Sequence, residues 1–153
     1  MIPIYIVNFN TTEITNDCIK SIIDKLHAFE YSIMVFDNSN ARRFKLDSEI
    51  PKNKITIIDN YFGKLINFND VLMDSVNVQH YNKVKQMNIS KFGTLKHTYT
   101  IDYIIKHEDK PFLLFDSDVK LLKDIDFIDD KYITIAGINH TEPKWPNRFF
   151  PYI

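Results

Sequence analysis

The chain has 153 residues, 44% hydrophobic and 25% charged, proportions that exclude wholesale disorder or a fibrous repeat and suit one folding unit over residues 1–153. Its 19 basic and 20 acidic residues leave a net charge of −1, so no overall field draws in nucleic acid. The lone Cys18 excludes an internal disulfide and fits a reducing, cytoplasmic setting, and no apolar run reaches the roughly 20 residues needed to span a bilayer, which leaves a peripheral membrane role open.

The opening stretch from Met1 has neither a charged leader nor a cleavage site, so no export is expected. Pro3 to Asn8 is a short β-branched and aromatic run that predicts a buried first strand, closed by the polar cluster Asn8 to Thr12. Thr12 or Thr15 then caps a helix in which Ile14, Cys18, Ile19, Ile22, Ile23 and Leu26 recur at helical spacing, with Cys18 as an inert core thiol. Tyr31 to Phe36 and Lys54 to Ile58 predict further strands, ending in Asp37-Asn38-Ser39-Asn40 and Asp59-Asn60. Between them, 41–53 shows no helix.

Gly63 to Val76 has helical spacing through Leu65, Phe68, Val71 and Leu72, and Val78 to Phe92 reads as a loop. Helical period returns from Leu95 to His107, and Pro111 opens the apolar run Phe112 to Phe115, a central strand that stops at Asp116-Ser117-Asp118. Tyr132 to Gly137 predicts a last strand, and Pro143, Pro146 and Pro151 predict an irregular tail. Alternating strands and helices of this kind imply an α/β fold, three layers in the order α/β/α with a mostly parallel central sheet.

Ligands of such sheets bind beyond the carboxyl ends of the strands, where all four polar clusters fall. With only Gly63, Gly93 and Gly137, the chain has no glycine-rich phosphate cradle. A bound diphosphate then needs a hard divalent cation, which paired carboxylates suit. Asp116 and Asp118, two apart in an extended segment, would point the same way. As a bare motif D-x-D is common, and Asp also closes strands as a turn former.

The run Phe112-Leu113-Leu114-Phe115-Asp116-Ser117-Asp118-Val119 resembles the metal motif of GT-A-fold glycosyltransferases, particularly the large inverting family 2. Tyr5-Ile6-Val7-Asn8-Phe9-Asn10 resembles that family's first strand and nucleoside loop, and Val35-Phe36-Asp37-Asn38-Ser39 its second-strand motif. His97 with Ile101-Asp102 resembles a helix found in some members. The resemblance implies a nucleotide-diphospho-sugar transferase-like fold that moves a sugar from a UDP- or GDP-sugar donor to a glycan or lipid acceptor with Mn2+ or Mg2+. It implies nucleotide binding by Asn8, Asn10, Asp37, Asn38 and Asp116, with Asp37 accepting from the base. It also implies that Asp116 holds ribose or metal through water and that Asp118 ligates the metal directly.

Each residue also has a plainer reading. Asn8 and Asn10 can cap loop backbone, Asp37-Asn38-Ser39 is a good turn, and a histidine such as His97 on an amphipathic helix is more often a packing residue than a diphosphate ligand. Lys91 and Lys96 could neutralise phosphate, His140 could add a metal ligand with no better claim than His27, His80 or His107, and Trp145 could stack on a sugar. Glu142, Asp129 and Asp130 are carboxylates outside any recognisable base motif, so the catalytic base is left unassigned. A non-catalytic or truncated nucleotide-sugar-binding module is therefore the alternative, and a partner subunit or second copy could complete the site. A phosphatase using Asp116 as nucleophile is disfavoured by Lys120 where Thr or Val is expected.

Overall fold

The computed structural model describes residues 1–66, 89–126, 137–140 and 148–151, with 89–95, 137–140 and 148–151 described by their backbone course alone. Strands β1 (Ile2–Asn8), β2 (Tyr31–Asp37), β3 (Ile55–Asp59) and β4 (Leu113–Asp116) form one sheet in the order β3-β2-β1-β4. Every pairing in it is parallel, with Asn8 opposite Asp37, Asp37 opposite Asp59, and Val7 opposite Asp116. Buried parallel strands read as continuous apolar runs, which is why all four were recognisable from sequence to within about a residue.

Among the described residues, two α-helices cover the sheet, α1 (Thr12–Lys25) and α2 (Ile89–His107). The step from β1 to β2 moves one way across the sheet, and the return from β3 to β4 moves the other way past β1. Right-handed crossovers then set the connecting helices on opposite faces. The core divides accordingly. Cys18, Ile19 and Ile22 of α1 pack on Ile4, Ile6, Ile33 and Val35, while Ile104, Tyr99 and Tyr103 of α2 pack on Tyr5, Val7 and Phe36. Tyr5 also donates to Glu108 Oε2 at 2.9 Å, tying the end of α2 to β1, and burial followed by Glu108 pushes the phenol up to about 12.

Helix α1 begins after Thr11 and has no side-chain cap. Thr15, expected as a possible cap, lies inside the helix, fully buried, and gives its hydroxyl to Asn8 Oδ1 at 2.8 Å. Residues 41–51 run irregularly around α1 to a 3-10 turn at Lys52–Lys54, held by Asn16, whose amide donates to Lys45 O and accepts from Asp47 N, while Phe44 and Ile50 enter the α1 core.

Three expectations are corrected. Residues 89–92 belong to α2 rather than to a loop, because a helix tolerates the interior Gly93 that blurs its pattern. Gly63 to Ile66, the described start of the helix expected there, forms a turn and bend, with Phe62 and Gly63 at positive φ of 56° and 72°. The tail is not wholly irregular: β5 (Gly137–His140) and β6 (Arg148–Pro151) pair antiparallel, Gly137 opposite Pro151. Residues 67–76 of the expected helix, 78–88 of the expected loop and 132–136 of the expected last strand lie outside the described residues.

Candidate functional site at the carboxyl ends of the strands

All four parallel strands end at one edge of the sheet, and the strand order puts a topological switch point between β1 and β4. Loops that follow strands on either side of such a point diverge and leave a crevice. Here the flanking loops are Phe9-Asn10-Thr11 after β1 and Ser117-Asp118 after β4.

Toward β2 and β3 the polar residues fasten the loops to one another. Asn8, fully buried, donates to Asp37 Oδ1 at 2.9 Å and Ser39 Oγ at 2.8 Å, and its own Oδ1 accepts from Thr11 and Thr15. Asp37, 2% exposed, also accepts from Ser39 N at 3.1 Å and Phe44 N at 2.8 Å. Asn38, 1% exposed, donates to Thr100 Oγ1 and accepts from Asn60 Nδ2, both at 2.7 Å. A buried donor or acceptor left unpaired costs about 1–3 kcal/mol, so these contacts hold the loops firmly. Asn8, Asp37 and Asn38 are thus buried and hydrogen-bonded to the protein itself.

Asn10 is different. It takes the left-handed conformation that Asn tolerates, φ 56°, and its exposed amide clasps the β2 loop through Asn40 Oδ1, Asn40 N and Ala41 N at 2.8–3.1 Å. It stands at the rim.

On the β4 side, Asp116 is in register with Val7 and so shares the face covered by α2. His97 Nε2 of that helix lies 3.3 Å from Asp116 Oδ1, with 31% and 19% of the two side chains exposed. The preceding residue, Lys96, holds its ammonium 5.0 Å over the Phe9 ring, and burial pulls its pKa below the usual lysine value. Phe9, Lys96, His97 and Asp116 thus line both walls of the switch point. His97, expected as a surface or half-buried residue of its helix, is half-buried and also pairs with the strand-end carboxylate.

Asp118 is exposed, but the geometry expected of it does not hold. β4 stops at Asp116, and Val119 N donates back to Asp116 O at 3.1 Å, so 116–119 is a turn rather than an extended segment. After the turn the chain passes to the α1 face, where Leu121 N donates to Ser21 Oγ at 3.0 Å. Below the turn, Cys18 Sγ faces Asp116 O at 3.6 Å, and burial, then the charges of Asp118 and Asp116, push its thiol up to about 12. Cys18 is thus a buried thiol of the α1 core, where it was expected.

Two carboxylates offer hard oxygen donors of the kind Mg2+ and Mn2+ accept. Among the described residues no group of three or more His, Cys, Asp or Glu side chains comes together to hold a metal. A depression of about 310 Å3 beside Lys20, His27 and Pro51 lies on the α1 layer and includes none of these groups. Among the described residues no helix is long and apolar enough to cross a membrane. The side chains of Lys91 and His140, and residues His80, Asp129, Asp130, Glu142 and Trp145 altogether, lie outside the description.

Sequence reasoning placed Asn60 only within a polar strand end, with no role of its own, and did not single out Thr100. Thr100 had one signal: it shares the buried stripe of α2 with Tyr103 and Ile104, and a polar residue in such a stripe asks for a partner. No protein-family model, curated protein or solved structure matches the chain.

Proposed function

We propose that the chain binds the diphosphate of a nucleotide sugar at the β1/β4 switch point, as the donor half of a GT-A-type glycosyltransferase. The observation that carries this reading is the position of Asp116, a partly exposed carboxylate at the carboxyl end of β4, beside β1 and within 3.3 Å of His97. Asp116 and Asp118 would hold Mn2+ or Mg2+, which when bound offsets phosphate charge that a chain with three glycines does not cradle with backbone. Lys96, whose ammonium lies 5.0 Å over the Phe9 ring, places a positive charge beside the same point and supports the same reading. The rim formed by half-buried Phe9 and exposed Asn10 is the surface we assign to the nucleoside. Asn8, Asp37 and Asn38, implied as direct nucleotide ligands, would act instead through the loops they fix.

The acceptor, a glycan or a lipid in this reading, and any partner subunit belong to the same proposal. Isothermal titration with UDP and GDP, with and without Mn2+, tests it. Binding that requires Mn2+ and is lost in Asp118→Ala supports the donor site, and binding unchanged by either removes it. Transfer or hydrolysis of a labelled sugar nucleotide then separates a transferase from a binding module.

A further inference from the structure

The buried amides under the crevice form a chain with a fixed direction. Leu65 N and Ile66 N donate to Asn60 Oδ1 at 2.8 and 2.7 Å; Asn60 Nδ2 donates to Asn38 Oδ1; Asn38 Nδ2 donates to Thr100 Oγ1; and Thr100 donates to Lys96 O, the last three at 2.7 Å. Asn60 and Thr100 are fully buried and Asn38 is 1% exposed. Because Thr100 gives its single proton to Lys96 O, its oxygen is left to accept, and only a donor such as Asn38 Nδ2 satisfies it. The chain joins the ends of β2 and β3 to α2 one turn from His97, and it ends on the carbonyl of Lys96. The apolar contacts of Tyr103 and Ile104 with the sheet resist separation of α2 but fix its axial position only loosely, whereas a hydrogen bond defines both distance and angle.

We propose that Thr100 is a positioning residue: clasped by Asn38 and Asn60, it sets the axial register of α2 and thereby holds His97 against Asp116 and Lys96 over Phe9. The clasp stands on the hydrogen bonds alone; its consequence for ligand binding rests on the donor-site reading above.

The test uses the full chain and three variants, Thr100→Val, Thr100→Ser and Asp116→Asn. In the parent, Asp116→Asn shifts the His97 imidazole resonances. In a Thr100→Val background that response is lost, and in Thr100→Ser it returns, because the hydroxyl and not the volume of the side chain is responsible. A role confined to stability would lower the melting temperature of Thr100→Val and leave the His97 response intact, which overturns the proposal. Native-state hydrogen exchange of the unsubstituted protein needs no variant: the clasp requires the Leu65 and Ile66 amides to open together with those around Thr100, and independent opening overturns it. In Thr100→Val, Mn2+-dependent UDP affinity falls by roughly tenfold to a hundredfold, the scale at which orienting partners act on ligating groups. If the parent binds no UDP the donor reading fails, while the imidazole and exchange results still decide the clasp.

Discussion

Removing the Asp37 carboxylate should destabilise the protein by about 3–5 kcal/mol, and the figure follows from which donors lose an acceptor. Asp37 accepts from Ser39 N, Phe44 N and Asn8 Nδ2 while only 2% exposed. In Asp37→Ala the Asn8 amide keeps Ser39 Oγ, but the Ser39 and Phe44 amides lose this acceptor at buried positions, at roughly 1–3 kcal/mol each. A chain of this length melts about 2–4 °C lower per kcal/mol, so a drop on the order of 10 °C is expected. Asp37→Asn keeps one acceptor oxygen and turns an N–H toward Phe44 N, so it should lose about half as much. Urea unfolding followed by circular dichroism gives the free energy, provided the denaturant slope is unchanged. A loss below about 1 kcal/mol in Asp37→Ala would refute the reasoning. If UDP binding vanished with stability intact, Asp37 would serve the base and not the loops.

Asp118→Ala should show the reverse pattern, stability within about 0.5 kcal/mol of the parent and loss of Mn2+-dependent nucleotide binding, because its side chain is exposed at a turn. Phe62→Asn should raise the melting temperature by a few degrees, on the order of 1 kcal/mol, by relieving a left-handed aromatic residue that is 69% exposed; a lower melting temperature would show that the Tyr61 contact outweighs the strain. Cys18, with its thiol raised from 9.0 to about 12, should resist iodoacetamide at pH 8 until the chain unfolds. The same shift, with Tyr5 raised from 10.0 to about 12, makes the unfolded chain release its protons first, so stability present below pH 9 should be lost as pH rises toward 12. A flat stability profile over that range would contradict it.

The strands and their polar ends were legible because a parallel sheet writes itself as short apolar runs closed by Asp and Asn. Strand order was not, since nothing in the run Leu113 to Phe115 says that it pairs with β1 rather than β3, and the position of the crevice depends on that pairing. The pairing of β5 with β6 was hidden for the same reason, and Pro151 marked it as unstructured although Pro is tolerated at a strand edge. Within the site, Asp116 was readable as a strand end, but the turn between Asp116 and Asp118 was read as extension. Asn8, Asp37 and Asn38 look alike as ligands and as loop fasteners in sequence, because the same amide and carboxylate groups do both; only burial and partners distinguish the two. His97 became informative once α2 brought it to Asp116.

The most direct test of the donor site is where manganese goes. With UDP present, Mn2+ should broaden the amide resonances of Phe9, Ser117 and Val119 beyond detection and leave those of Asp47 and Glu49 sharp, and the broadening should disappear in a protein carrying Asp116→Asn with Asp118→Asn. Broadening centred elsewhere, or unchanged by that double substitution, would contradict the assignment of the switch point as the diphosphate site.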